Sequence, residues 1–486
     1  MENGEIQHTM RKGKNELLVF EQVEILDAGS EGNAVARVGD LVIFVPYAVP
    51  GDVADLRVIR KKKSWCEARV IRFHRFSEKR ATPFCSHFGT CGGCKWQHLH
   101  YSDQLFYKQK MVEDNLVRIG KIPTPLILPI LGSGEQKFYR NKLEYTFSTH
   151  RWLTGELPKE AIPQHEMNAL GFHIPRMFDK VLDIECCYLQ PEPSNHIRLF
   201  VRQYALDHGL AFYDVRTWSG FLRNLIIRNT TTGDLMVILV FREDRKDVIH
   251  DLLNALHDAF PAVTSIYYVI NAKKNDVIND LPLTFFYGKE YMTEQMPAFF
   301  ENQPPVRFSI GPVSFYQTNP HQAVALYRAA AEFAAFKGNE VVYDLYTGTG
   351  TIANYIAPMV KKVIGMESVA AAIEDAQMNA RLNGFDNVTF ITGEVEKLLT
   401  PDFFIINPVP DLIITDPPRS GMHEKVIRTL LAMAPPTIIY ISCNPATQAR
   451  DLLLLSEKYT CEKNQPVDMF PQTQHVENIS LLKLNV

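Results

Sequence analysis

The stretch from Val341 to Ala357 reads VVYDLYTGTGTIANYIA: an apolar strand, then the turn Asp344-Leu345-Tyr346-Thr347-Gly348-Thr349-Gly350, then a helix. Glycines at such a turn let a ligand come close to the backbone. Around it, from about Phe308 onward, the helical HQAVALYRAAAEFAAF and the strands EVVYDLY, KKVIGME, NVTFIT, DLIITD and TIIYIS follow one another with further helices between them. Strands alternating with helices predict a mostly parallel, doubly wound sheet, the part of the chain expected to hold a cofactor. Glu367 lies 23 residues beyond Asp344, at the end of KKVIGME, where a carboxylate can bind both hydroxyls of a ribose. The turn lacks the GKS or GKT that holds nucleotide phosphates and the full GxGxxG of a dinucleotide fold, so a nucleoside without phosphates fits it better.

Upstream, residues from about 16 to 76 contain five short apolar alternations separated by turn signals: VEILDAG, GNAVARVG, DLVIFVPYAVPGD, VADLRVIRKKK and CEARVIRFHR. They predict a small closed β-barrel. Over 486 residues, 51 Lys and Arg stand against 55 Asp and Glu, so the net charge of −4 does not announce a nucleic-acid binder. Locally, ten Lys or Arg against two Glu between Arg57 and Arg80 give an excess of eight positive charges, suited to a phosphate backbone or to a solvated face. Hydrophobic residues at 46% and charged residues at 22% exclude a disordered or collagenous chain. The length predicts two to four domains. The N-terminus shows no apolar stretch followed by a cleavage site, and no run of about 18 apolar residues occurs, so a cytoplasmic protein without membrane association is expected.

Between barrel and sheet, a helical pattern at Tyr101–Ile119 precedes a region of mixed strands (LIIRNTTTGDLMVILVF, TSIYYVIN) and the helical DVIHDLLNALHDAF, read as a central α+β domain. The expected units are 12–76 (barrel), 77–305 (central) and 306–486 (Rossmann-like). Eight cysteines are few for the length, yet Cys85, Cys91 and Cys94 fall within ten residues, and Cys186-Cys187 offers a fourth thiolate. Four thiolates can hold zinc or a [4Fe–4S] cluster, and spacing leaves both open. Cys66 and Cys461 have no motif partners and read as structural.

The segment DLIITDPPRSG sets Asp416-Pro417-Pro418-Arg419 just after a strand, where prolines stiffen a loop and Asp416 can orient an uncharged polar group. With the glycine turn, this resembles S-adenosylmethionine-dependent methyltransferases acting on nucleic-acid bases. Cys443 ends the strand TIIYIS on the ligand-binding face of the sheet. Carbon 5 of uracil is a poor nucleophile, but thiolate addition at carbon 6 makes an enolate that can attack a sulfonium methyl. A base must then remove the carbon 5 proton, and Glu477, just before ISLLKL, is the candidate. No electron transfer is required, and the CxxxCxxC spacing of radical enzymes is absent.

Together these motifs resemble the bacterial 23S ribosomal RNA (uracil-5-)-methyltransferases, the iron–sulfur branch of the uracil-5 methyltransferase family, over most of the chain. The barrel resembles the family's TRAM domain and CSHFGTCGGCKWQHL its cluster motif, implying a [4Fe–4S] cluster on Cys85, Cys91, Cys94 and a fourth cysteine. The family's D-[IV]-x-x-C pattern matches Asp183-Ile184-Glu185-Cys186-Cys187 and selects Cys187. The resemblance implies S-adenosylmethionine binding at Gln317, Tyr346, Gly348, Glu367 and Asp416, with Cys443 as nucleophile and Glu477 as base. Thr347 stands where the family turn often has Cys. FYRNKLEYTFS resembles the start of the family's substrate domain. The partner implied is 23S rRNA, with a monomer and no obligate protein partner expected. The alternatives are the same reaction on tRNA or another RNA, and a non-catalytic RNA-binding or assembly factor.

Overall fold

The computed structural model describes residues 18–29, 31–154, 162–400 and 402–485. Residues 12–17 of the expected barrel unit, and most of the N-terminal stretch read for a leader, lie outside the described residues. The five alternating segments form β1 (Val19–Ala28), β2 (Ala34–Val38), β3 (Leu41–Val45), β4 (Val53–Lys61) and β5 (Trp65–Arg75), closed into a barrel in the order β1-β2-β3-β5-β4. Alternation fills its interior with Phe20, Val23, Ile25, Ile43, Val45 and Leu56, and leaves Arg57, Arg60 and Arg69 outside.

After the cysteine-bearing segment comes α1 (Tyr101–Arg118), then a seven-stranded sheet ordered β12-β11-β10-β9-β6-β7-β8. Its strands are β6 (Lys142–Ser148), β7 (Ala169–Ile174), β8 (Met177–Asp183), β9 (Leu222–Asn229), β10 (Leu235–Phe241), β11 (Ser265–Ile270) and β12 (Leu283–Gly288). The helices α2 (Ser194–Asp207) and α3 (Lys246–Ala259) belong to one core with Leu143, Tyr145, Phe147, Leu225 and Ile227 of this sheet. Ile226, Ile238 and Val240 instead join a core that runs on into the third layer of the molecule. The hairpin β13 (Met292–Met296) and β14 (Val306–Ile310) spans residue 305, so its two strands come from either side of the expected 305/306 division.

The second seven-stranded sheet is ordered β17-β16-β15-β18-β19-β21-β20. Its strands are β15 (Val341–Leu345), β16 (Lys362–Glu367), β17 (Val388–Thr392), β18 (Leu412–Thr415), β19 (Thr437–Ser442), β20 (Tyr459–Val467) and β21 (Glu477–Leu484). The first five are parallel, and β21 runs against them, pairing antiparallel with both β19 and β20. The helices are α4 (Pro320–Ala334), α5 (Thr351–Ile356), α6 (Ala370–Asn383), α7 (Val395–Leu398), α8 (Phe403–Ile406), α9 (Glu424–Met433) and α10 (Pro445–Leu455). The expected mostly parallel α/β sheet is therefore present, in a strand order that reverses between β15 and β18 and opens a crevice there.

Two features depart from sequence periodicity. β20 (YTCEKNQPV) carries charges and Pro466, yet it pairs with β21 over its whole length, at the sheet edge where a proline is tolerated. α1, grouped by sequence with the central unit, packs against α10 and β20, and Ile127 and Leu131 bridge to Asn464 and Val467. Val112 and Leu116 of α1 share an apolar core with Ala449, Leu452 and Leu455, and the contact includes a buried ion pair, Lys108 to Asp468 at 2.6 Å, with both side chains fully enclosed. No helix among the described residues is long and apolar enough to cross a membrane.

Candidate active site

The glycine turn leaves β15 at Leu345, and its backbone turns left-handed at Tyr346 (φ 63°), Gly348 (55°) and Gly350 (72°). A Cβ at Gly350 would come within 2.8 Å of Ala376 and Phe390, whereas one at Gly348 would meet nothing within 4 Å. Gly350 is thus required for helix packing, and Gly348 borders open space. Asp344 is fully buried; its Oδ2 accepts from the Thr347 hydroxyl (2.5 Å) and the Ala353 N–H (3.1 Å), while Oδ1 has no partner. Thr347, at the position where Cys is frequent, therefore supplies a strong donor that a thiol would not. Burial pushes the Asp344 carboxyl up to about 7.

Glu367, at the end of β16, accepts the Gly348 N–H through Oε2 (3.2 Å) and the Ser368 and Val369 N–H groups through Oε1 (2.7 and 3.0 Å). The carboxylate is thereby held at the lip of the turn. Gln317 lies on the segment before α4; its carbonyl accepts from Asn141 Nδ2 (3.0 Å), and it sits beside the buried Tyr327 hydroxyl. The Thr349 hydroxyl donates to the Phe315 carbonyl (2.9 Å), joining the turn to that segment. The Tyr346 side chain lines a different cleft, of about 580 Å3, with Met422, His423 and Ile427, to which neither Gly348 nor Glu367 contributes.

Across the crevice, strand register sets the remaining groups. Ser442 is opposite Asn478 in the antiparallel β19–β21 pair, so Cys443 and Glu477 are the next facing positions, and Thr415 pairs with Tyr440, bringing Asp416 to the same edge. Cys443 lies one residue before the cap of α10, where Asn444 Oδ1 accepts the Ala446 N–H (3.1 Å). Asn444 Nδ2 (3.0 Å) and the Thr447 hydroxyl (3.1 Å) donate to the Arg419 carbonyl, pinning the Pro417-Pro418-Arg419 loop beside the cysteine. Burial, then the Glu477 and Asp416 carboxylates, push the Cys443 thiol up to about 11, while the Arg419 guanidinium pulls it down. Burial, then Asp416, also raises Glu477, against the lowering influence of Arg419. Asp416 is raised by burial and then by Asp344.

Cys85, Cys91, Cys94, Cys186 and Cys187 line one cavity of about 500 Å3, together with Gln97, Arg140 and Thr318. Cys187 is buried and interacts electrostatically with Cys94, Cys91 and Cys85. Cys186 is partly exposed and lies near Cys85. Asn195 fixes the Cys187 backbone through both its N–H (2.8 Å) and its carbonyl (3.1 Å). Among the described residues, no group of three or more His, Cys, Asp or Glu has the geometry to hold a single metal ion.

A profile of the tRNA (uracil-5-)-methyltransferase family matches residues 227–485. The chain belongs to this family. Full-length relatives agree: an uncharacterized RNA methyltransferase of Bacteroides thetaiotaomicron is 54% identical, covering 94% of this chain and 99% of the relative. One from Porphyromonas gingivalis is 49% identical, covering 95% and 100%. Among solved structures, the Pyrococcus abyssi tRNA (uracil-54, C5)-methyltransferase in complex with S-adenosyl-L-homocysteine superposes with a TM-score of 0.72, covering 95% of this chain and all of that one, at 26% identity. For an RNA methyltransferase, two groups without a role in the sequence reading stand out. Arg419 is the cation facing both Cys443 and Glu477, and Asp344 is the buried acid beneath the turn. The sequence signal for Arg419 was its position directly after the Pro-Pro pair, which fixes the direction of the loop.

Proposed function

We propose that this enzyme transfers the methyl group of S-adenosylmethionine to carbon 5 of a uridine in 23S ribosomal RNA. The observation that carries the reading is the meeting of Cys443, Asp416, Glu477 and Arg419 at adjacent strand ends, across from an open glycine turn. The residues fit the nucleoside: Gly348 borders free space, Glu367 is oriented at its lip, and Asp344 keeps an unpartnered buried oxygen beneath it. Gln317, Tyr346, Gly348, Glu367 and Asp416 are the residues assigned to hold it, Tyr346 through its backbone position in the turn. When bound, the sulfonium supplies an electrophilic methyl group.

The chain's own groups supply the rest. Cys443 loses its proton to solvent, assisted by Arg419 and the start of α10, and its sulfur bonds to carbon 6. Electron density moved to carbon 5 forms the new carbon–carbon bond as the methyl–sulfur bond breaks, and S-adenosylhomocysteine is the leaving group. Glu477, whose proton affinity burial raises, takes the carbon 5 proton in its ionised form, and the carbon–sulfur bond breaks to restore the ring and the Cys443 thiolate. Because Cys443 is held mainly as the neutral thiol, single-turnover rates rise with pH through the neutral and mildly alkaline range. Arg419→Gln removes the group that lowers the thiol, so the rate at pH of about 7 falls and the profile moves to higher pH. A flat profile unchanged by Arg419→Gln contradicts this assignment.

The cysteine cavity fits a four-iron cluster held by Cys85, Cys91, Cys94 and Cys187. The thiols line one cavity, and the resemblance of CSHFGTCGGCKWQHL to the family's cluster motif favours the cluster over zinc. Such a cluster cross-links chain segments. Cys187→Ser is expected to remove iron and the visible absorbance of anaerobically purified protein, and Cys186→Ser to retain both. The reverse pattern moves the fourth ligand to Cys186.

The resemblance of the cysteine motif supports 23S rRNA. A second reading, transfer RNA, is favoured by the tRNA (uracil-54, C5)-methyltransferase activity of the Pyrococcus abyssi protein and by the membership of the tRNA (uracil-5-)-methyltransferase family. Methyl-labelled S-adenosylmethionine with unmodified 23S and transfer RNAs, followed by nuclease digestion and mass spectrometry, separates them. Label in 5-methyluridine at a defined 23S position supports the first, and label in transfer RNA overturns it.

A further inference from the structure

The chain from Asp468 to His475 leads directly into Glu477 and is held almost entirely by residues from the N-terminal third of the sequence. At its centre Gln472 is buried and left-handed (φ 69°), a backbone state that a non-glycine residue keeps only when its surroundings enforce it. Its carbonyl accepts two N–H groups, from Lys95 (2.9 Å) and Trp96 (3.0 Å). Its own N–H donates to Gln104 Oε1 (2.9 Å). Gln104 Nε2 donates to Gln472 Oε1 (3.1 Å) and to the Trp96 and Leu99 carbonyls (both 3.0 Å). The N–H, the carbonyl and Oε1 of this residue are thus engaged by partners in the cysteine-bearing segment or on α1. Neighbouring anchors act in the same direction: the Tyr139 hydroxyl donates to the Pro471 carbonyl (3.0 Å), Lys108 to Phe470 (3.0 Å), and Asn319 Nδ2 to Met469 (3.1 Å).

We propose that Gln104, with the backbone of Lys95 and Trp96, is a positioning device for Glu477, acting through Gln472 on the step that removes the carbon 5 proton. The inference rests on the reading of Glu477 as the proton acceptor. Four residues separate Gln472 from Glu477, so a displacement at the first is carried to the second. Cys443 stands on a different element, just after β19, in a turn where Asn444 and Thr447 donate to the Arg419 carbonyl, and neither bond involves Gln104, Lys95, Trp96 or Gln472. Loosening the clamp therefore leaves sulfur addition and methyl transfer in place and slows elimination. Lys95 follows Cys94 in the chain, so whatever holds that thiol also sets where the Gln472 carbonyl is gripped.

The test is a pulse of methyl-labelled S-adenosylmethionine and an unmodified RNA transcript that the wild-type holoenzyme methylates, followed by an unlabelled chase. The protein–RNA adduct is read on denaturing gels. Gln104→Met, of similar volume and without amide groups, is expected to form the adduct within about 3-fold of the wild-type rate and to release it about 10- to 100-fold more slowly, since about 1 Å of misplacement can cost 10²-fold. Gln472→Gly keeps the left-handed backbone and the bonds from Lys95 and Trp96, so it gives a smaller delay of the same kind, and it carries the test if Gln104→Met does not fold. Glu477→Gln runs in parallel and is expected to stall the adduct most. Formation and release slowed equally in the clamp variants, or both unchanged, with Glu477→Gln still stalled, overturns the clamp and leaves the base in place. Normal release by Glu477→Gln instead overturns the assignment of the base and the clamp with it.

Discussion

Cys443→Ala is expected to lower turnover by about 10⁴-fold or more, a loss of about 5 kcal/mol of transition-state stabilisation, with binding of S-adenosylmethionine unchanged. The size follows from chemistry. Without sulfur at carbon 6, carbon 5 has no enolate character, and no other group at the site can supply the electron pair. Asp416 and Glu477 are hard oxygen acids raised by burial, and Arg419 carries no nucleophile. Binding is spared because Cys443 belongs to the strand ends across from Gly348 and Glu367, and its substitution removes no bond made by the turn. Isothermal titration with S-adenosylmethionine beside a labelled-methyl assay reads both quantities. Turnover within 10-fold of wild type removes Cys443 from the reaction.

The second large effect is on stability. Lys108→Met is expected to destabilise the protein by about 3–5 kcal/mol, because it leaves the Asp468 carboxylate enclosed without its cation. Lys108 donates to Asp468 at 2.6 Å, and the same carboxylate accepts from the Tyr101 hydroxyl (2.9 Å) and the Phe470 N–H (3.0 Å). Burial lowers the Lys108 ammonium and Asp468 opposes that shift, so neither partner is comfortable alone. The double variant Lys108→Met with Asp468→Asn recovers most of the loss, since no net charge is then enclosed. Denaturant unfolding of the wild type and both variants checks this. A single variant within about 0.5 kcal/mol of wild type, or a double variant as unstable as the single, contradicts it.

Much of the architecture was legible because it is built on strong, local signals. The barrel strands alternate, and β15, β18 and β19 are short, mostly apolar, β-branched-rich runs between helical stretches, as buried parallel strands are. The glycine turn, Glu367, Asp416, Cys443 and Glu477 lie at the C-terminal ends of such strands or just before one, so sequence position alone brought them near a single crevice. What did not announce itself was long-range and polar. β20 shows no apolar alternation, because its charged residues and Pro466 are acceptable only beside β21 at an edge. Gln104, Lys108 and Gln472 are residue types that ordinarily face water, and nothing local marks them as buried partners across 360 or more positions. The Tyr346 ring, assigned by resemblance to the cofactor, lines a second cleft, since a left-handed backbone at that residue redirects the side chain.

The most direct measurement uses RNA containing 5-fluorouridine. Fluorine at carbon 5 cannot leave as a proton does, so the reaction halts after methyl transfer with the enzyme still bonded to carbon 6. Digesting the trapped complex and sequencing the modified peptide by mass spectrometry locates the bond. The account predicts a methylated fluorouridine attached to the Cys443 peptide, in an amount that depends on S-adenosylmethionine. Attachment at any other residue, or methylated product with no adduct, contradicts it.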